Sequence, residues 1–86
     1  MTIEQILNKI ERPYEKQSDN SYIVSLNDSE DFARVYTFLD KLEDRVLTVH
    51  IENDKTVCNC VYNEYELVLS GDLNTDEYTL TIEELK

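Results

Sequence analysis

The chain has one glycine, one proline, one histidine and two cysteines in 86 residues, and none of its eight Lys and Arg residues falls between Lys55 and Lys86. Each scarcity excludes something. A single glycine leaves no glycine-rich loop to cradle a phosphate. Two cysteines without a secretory signal read as reduced thiols rather than a disulfide framework. A lone histidine with no evident partner, in a chain without a nucleophile motif, gives catalysis no footing, so the chain is read as a non-enzyme. The amino terminus, Met1 to Ile10, interleaves charges with its apolar residues and is neither a signal peptide nor a membrane span. The expected compartment is the cytoplasm, with no membrane partner. There is no internal repeat and no low-complexity segment.

Eight basic residues face 19 acidic ones, for a net charge of −11. Neutralising phosphates needs clustered Lys and Arg, so direct binding to nucleic acid is not expected. The 41% hydrophobic content is that of a globular domain, although the charge leans towards disorder. Hydrophobic periodicity decides for a folded chain, expected as one domain over residues 1–86.

Ile3, Ile6, Leu7 and Ile10 have the spacing of one helical face. Thr2 with Gln5 forms a capping-box start, and Pro13 marks the stop. The polar run from Arg12 to Asn20 reads as a connector. Tyr22, Ile23, Val24 and Leu26 suggest a short strand ending at Asn27, Asp28 and Ser29, which also cap a second helix. Phe32, Val35, Phe38, Leu39 and Leu42 line the buried face of that helix, with Glu30 and Asp31 at its positive end.

Beyond Asp44 the period changes to two. Leu47, Val49 and Ile51 share one side, and Val46, Thr48 and His50 the other. A two-residue turn at Asn53-Asp54 sets Glu52 opposite Lys55, Val49 opposite Cys58 and Leu47 opposite Cys60. A second turn at Asn63-Glu64 sets Tyr62 opposite Tyr65, Cys60 opposite Leu67 and Cys58 opposite Leu69. The apolar sides coincide in both hairpins, which supports a meander. A last strand, about Glu77 to Glu83, follows a loop built on Gly71, Asp72 and Asn74 and adds Tyr78, Leu80 and Ile82 to the same side. If Leu69 pairs with Tyr78, Glu64 stands opposite Glu83. The expected fold is α+β: two amphipathic helices packed on one face of a mainly antiparallel sheet, in the order α-β-α-β-β-β-β. A right-handed crossover through the second helix would place the first strand parallel to the strand beginning near Arg45.

Cys58, Cys60 and His50 suggest a zinc or copper site by ligand type, but the register puts His50 on the opposite side from both thiols, and small buried cysteines account for them better. Asp72, Asn74, Asp76 and Glu83 occupy the first, third, fifth and twelfth positions of a calcium loop, with Glu77 where the sharp turn needs glycine. A solvated turn is the competing account, and neither metal nor cofactor is expected.

The stretch between Lys55 and Lys86 carries Glu64, Glu66, Asp72, Asp76, Glu77, Glu83 and Glu84 with no basic residue. Strand alternation puts Glu64, Glu66, Glu77 and Glu83 on the side away from the helices, beside a patch of Val46, Val57, Val61 and Val68. In size and acidity the chain resembles the small phage-encoded inhibitors that imitate DNA, including uracil-DNA glycosylase inhibitors and some anti-CRISPR proteins. The resemblance implies an inhibitor that occupies the basic nucleic-acid channel of a nuclease or other DNA- or RNA-processing enzyme. Candidate contact residues are Glu64, Glu66, Glu77, Glu83, Asp72, Asp76, Val57 and Val61. The alternatives are an immunity protein against a toxic nuclease, and a homodimeric accessory domain joined through the valine patch, with the acids serving solubility.

Overall fold

A computed structural model describes residues 1–85 and contains two helices and a six-stranded sheet, antiparallel throughout. In chain order the elements are α1 (Ile3–Ile10), β1 (Tyr14–Ser18), β2 (Ser21–Leu26), α2 (Ser29–Asp40), β3 (Val46–Glu52), β4 (Lys55–Tyr62), β5 (Tyr65–Asp72) and β6 (Glu77–Glu84). The strands lie in the order β1-β2-β6-β5-β4-β3.

The capping box forms as expected: Thr2 Oγ1 accepts from the Gln5 amide, and the Gln5 side chain accepts from the Thr2 amide. α1 stops at Glu11, which adopts a left-handed φ of 56° and donates its amide to the Leu7 carbonyl, two residues ahead of Pro13. Asp28 caps α2 by accepting from the Asp31 amide.

Both short hairpins have the anticipated registers, Glu52 with Lys55 and Tyr62 with Tyr65 closing them. Asn53, Asp54 and Asn63 supply the positive φ angles that such tight turns require, without glycine. The glycine lies instead inside β5. A Cβ on Gly71 would come within 2.8 Å of Tyr78 Cδ1 and 3.0 Å of the Phe32 ring, so the missing side chain makes room for an edge-on Phe32–Tyr78 pair.

Three expectations change. The polar run after Arg12 is a strand: β1 pairs with β2, which makes six strands instead of five. Polar residues suffice there because β1 is an exposed edge that adds hydrogen bonds and no core. β2 does run in the same direction as β3, but three strands separate them, and its neighbour is β6. α2, about 18 Å long, spans the roughly 19 Å between β2 and β3. Finally, β5 and β6 are offset by two residues from the expected register, with Leu69 opposite Leu80 and Glu66, not Glu64, opposite Glu83. Their loop holds four residues, Leu73 to Asp76, because Asp72 Oδ1 accepts from the amides of Asn74 and Thr75 and Asp76 turns the chain back at φ 57°. An offset of two leaves every side chain on its expected side.

A single apolar cluster joins Ile3, Ile6, Leu7 and Ile10 of α1, Val35 and Leu39 of α2, and Val24, Cys58, Cys60, Leu67, Leu69, Leu80 and Ile82 of the sheet. All these strand residues belong to one alternation class, which defines the core-facing side. Val49 and Ile51 belong to the same class yet are 51% and 77% exposed. Six strands spaced ~4.8 Å span ~24 Å, more than two helices ~10 Å across can cover. α2 lies against β5 and β6, and on β3 Leu47 packs against the core while Val49 and Ile51 stay exposed.

Candidate functional site

The outer side of the sheet is built of rows of cross-strand neighbours. At one end Val46, Val61, Glu66, Glu83 and Ser21 stand side by side. The next row is Thr48, Asn59, Val68, Thr81 and Ile23, and the next is His50, Val57, Ser70, Thr79 and Ser25. At the far end Glu52, Lys55, Asp72 and Glu77 make the last row.

The expected acidic half is therefore two separate clusters. Glu66 and Glu83 are direct partners at one end, and Asp72 and Glu77 are direct partners at the other. Five residues of strand lie between them, a separation of about 20 Å. The intervening surface is neutral, and Ser70 and Thr79 hydrogen-bond through their hydroxyls across it at 3.1 Å. Glu64 sits in the turn beyond the first cluster, its carbonyl accepting from the Leu85 amide at 2.6 Å. Asp76 is in the loop beyond the second.

The two clusters differ electrostatically. Asp72 has Lys55 as its cross-strand partner on β4, whereas Glu66 has Val61 in that place. Among the described residues, Glu64, Glu66, Asp72, Asp76, Glu77 and Glu83 form no ion pair; the ion pairs present involve Asp19, Asp31, Asp40 and Glu52. Like charges placed directly opposite on a sheet oppose its formation, so the Glu66–Glu83 pair works against the β5–β6 ladder, and among the described residues no ion pair offsets it.

The valines divide as well. Val46 and Val61, beside Glu66, are 63% and 37% exposed. Val57 and Val68 are half-buried among their neighbours. Ile23, which joins the outer side through the β2–β6 pairing, was assigned no role by the sequence, because its row depends on a long-range contact.

The other candidate sites do not assemble. His50 projects from the outer side and faces Glu52 at 3.7 Å, while Cys58 and Cys60 are buried on the core-facing side, where burial raises both thiol pKa values. Glu83 lies at the opposite end of β6 from the loop that holds Asp72, Asn74 and Asp76, and Asn74 donates to Asp54 at 3.2 Å. Among the described residues, no three His, Cys, Asp or Glu side chains come together as a metal site. A surface depression of about 560 Å³ along α1 is lined by Met1, Gln5, Asn8, Lys9 and Glu11, none of them a candidate residue.

One buried charge is structural. Asp31 accepts from Arg12 Nε at 2.8 Å and Nη2 at 2.7 Å, and from the Asn27 amide at 2.9 Å. The Arg12 hydrogen bonds, then the Asn27 amide, hold its carboxyl at about 2, below the ordinary 3.8. This pair fastens the segment entering β1 to the start of α2.

No helix among the described residues is long and apolar enough to cross a membrane. Comparison with protein-family models, curated proteins and solved structures finds no match.

Proposed function

We propose that this chain is a protein-binding inhibitor that uses the Glu66–Glu83 end of its outer sheet side to engage the basic nucleic-acid channel of a nuclease or another DNA- or RNA-processing enzyme. In this reading both helices cover the core-facing side and leave the outer side to the partner. The observation that carries it is the pairing of Glu66 with Glu83, with no cation among the described residues paired to them and exposed Val61 and Val46 in the same row. A basic partner would relieve a repulsion that the fold leaves in place, and the adjacent valines would add apolar contact. Strand spacings of ~4.8 Å across and ~6.8 Å along the sheet set carboxylates at distances of the same order as neighbouring phosphates. The remote Asp72–Glu77 pair contributes attraction at longer range, weakened by Lys55.

The test is capture from nuclease-treated host lysate at low salt on immobilised protein, followed by inhibition of the purified partner's action on DNA or RNA. The expected partner is a basic nucleic-acid enzyme, released by salt and displaced by its own nucleic-acid substrate. The double variant Glu66→Lys/Glu83→Lys should slow association at least tenfold at low salt. Equal capture and inhibition by that variant would overturn the proposal.

A further inference from the structure

β3 is an open sheet edge. A two-residue turn closes on a hydrogen-bonded pair, here Glu52 and Lys55, and in an antiparallel ladder such pairs alternate with non-bonded ones. Glu52, His50, Thr48 and Val46 therefore direct their backbone groups to β4, while Leu47, Val49 and Ile51 direct theirs to the free edge. The register is continuous over all seven residues of β3, with no bulge, proline or lysine to discourage a neighbour.

We propose that β3 pairs antiparallel with the β3 of a second copy about a two-fold axis at Val49, joining two six-stranded sheets into one continuous sheet. In this register Val49 faces its own copy and Leu47 faces Ile51. These are the three residues whose amides and carbonyls point outward, so every free group meets its complement. Their side chains share the core-facing side, and Val49 and Ile51, 51% and 77% exposed in the single chain, gain a continuous apolar stripe. Sliding the strands by two residues either way would set an apolar residue against Arg45 or Asn53. Leu47 and Ile51, both branched aliphatic residues, stand symmetrically about Val49, so the apolar side is complementary to itself, which is what an isologous interface requires.

Charge favours a second copy as the occupant. Arg45 and Lys55 balance Glu52 and Asp54, so the segment from 45 to 55 is neutral within a chain of net charge −11. On the outer side of the joined strands Thr48 faces His50 and Val46 faces Glu52, with no like charges opposed. Two copies can meet along this seam, whereas contact through the outer side would bring the Glu66–Glu83 clusters together. The dimer leaves those clusters free, so it stands or falls independently of the inhibitor reading.

Sedimentation of the full chain from 1 to 200 µM should reveal a dimer that persists or tightens between 50 and 500 mM salt. Val49→Lys opposes two ammonium groups at the axis and should weaken dimerisation by about a hundredfold or more, while its circular dichroism matches the parent. In the Cys58→Ser/Cys60→Ser background, Val49→Cys should cross-link across the axis on mild oxidation, where paired Cα atoms stand ~5.5 Å apart, and Val61→Cys should not. A monomer throughout the concentration range, a dimer untouched by Val49→Lys, or cross-linking through Val61→Cys instead of Val49→Cys would each overturn the proposal.

Discussion

The two edges of the sheet are built on different principles. β1 is five residues long, exposed along its whole length, charged at Glu15 and Lys16, and broken by an irregularity between Lys16 and Ser18. β3 is seven residues long, regular and apolar, with Val46, Val49 and Ile51 among the most exposed hydrophobic residues of the molecule. Short, charged and irregular edges resist pairing with other chains, whereas long flat apolar ones invite it. A chain with strong overall repulsion has thus protected one edge and left the other open, at the place where its own charge balances. That open edge is the one the proposed dimer would use.

The largest expected effect comes from moving along one row of the core-facing side, from β3 through Cys58, Leu69, Leu80 and Val24 to Tyr14 on β1. Leu80→Ala in the covered centre should cost about 2–5 kcal/mol in denaturant unfolding. Tyr14→Ala should cost about 1 kcal/mol, since its ring meets Tyr22 edge-on at 5.9 Å. Val49→Ala, measured at concentrations where the chain is monomeric, should stay within about 0.5 kcal/mol. A Val49 loss as large as that of Leu80 would mean that β3 is covered, and the contrast between edges would disappear.

The next row gives a smaller effect of the opposite kind. Gly71→Ala drives a methyl into the Tyr78 and Phe32 rings and should destabilise by about 1–3 kcal/mol, while Ile51→Ala in the same row stays near neutral. Equal stability of Gly71→Ala and the parent would show that the rings move aside freely.

The smallest effect sharpens the β1 side, through the buried tie that precedes it. Asp31 titrates at about 2 against an ordinary 3.8, so its contribution is complete above the higher value and is lost as pH falls towards the lower one. Melting temperature should therefore fall more steeply between pH 4 and 2 in the parent than in Asp31→Asn, which starts lower at neutral pH. Parallel curves would show that the Arg12 pair does not link protonation to folding.

Legibility in the sequence followed the range of the interactions. The Thr2–Gln5 capping box, the Asp28 cap and both two-residue hairpins depend on residues a few positions apart, and each stands where the local pattern put it. The Asp72–Glu77 loop was misread because a lone glycine looks like turn chemistry, whereas Gly71 serves the packing of two rings and Asp72 closes the loop with its carboxylate. β1 was missed because an edge strand of Tyr-Glu-Lys-Gln-Ser has no buried side to imprint alternation. The Glu66–Glu83 contact inherited its error from that loop: the side was right and the partner was off by two residues.

By itself the sequence determined the helix caps, the two-residue turns after β3 and β4, and the side on which each residue of β3 to β6 falls, because hydrogen-bond closure over a few residues and a period of two leave little choice. Tertiary structure alone decided that β2 joins β6, that the acids form two clusters about 20 Å apart, and that Val49 and Ile51 of β3 stay exposed on the core-facing side. Those outcomes depend on which edge remains free and how wide the sheet becomes relative to the helices above it, quantities that no local pattern encodes.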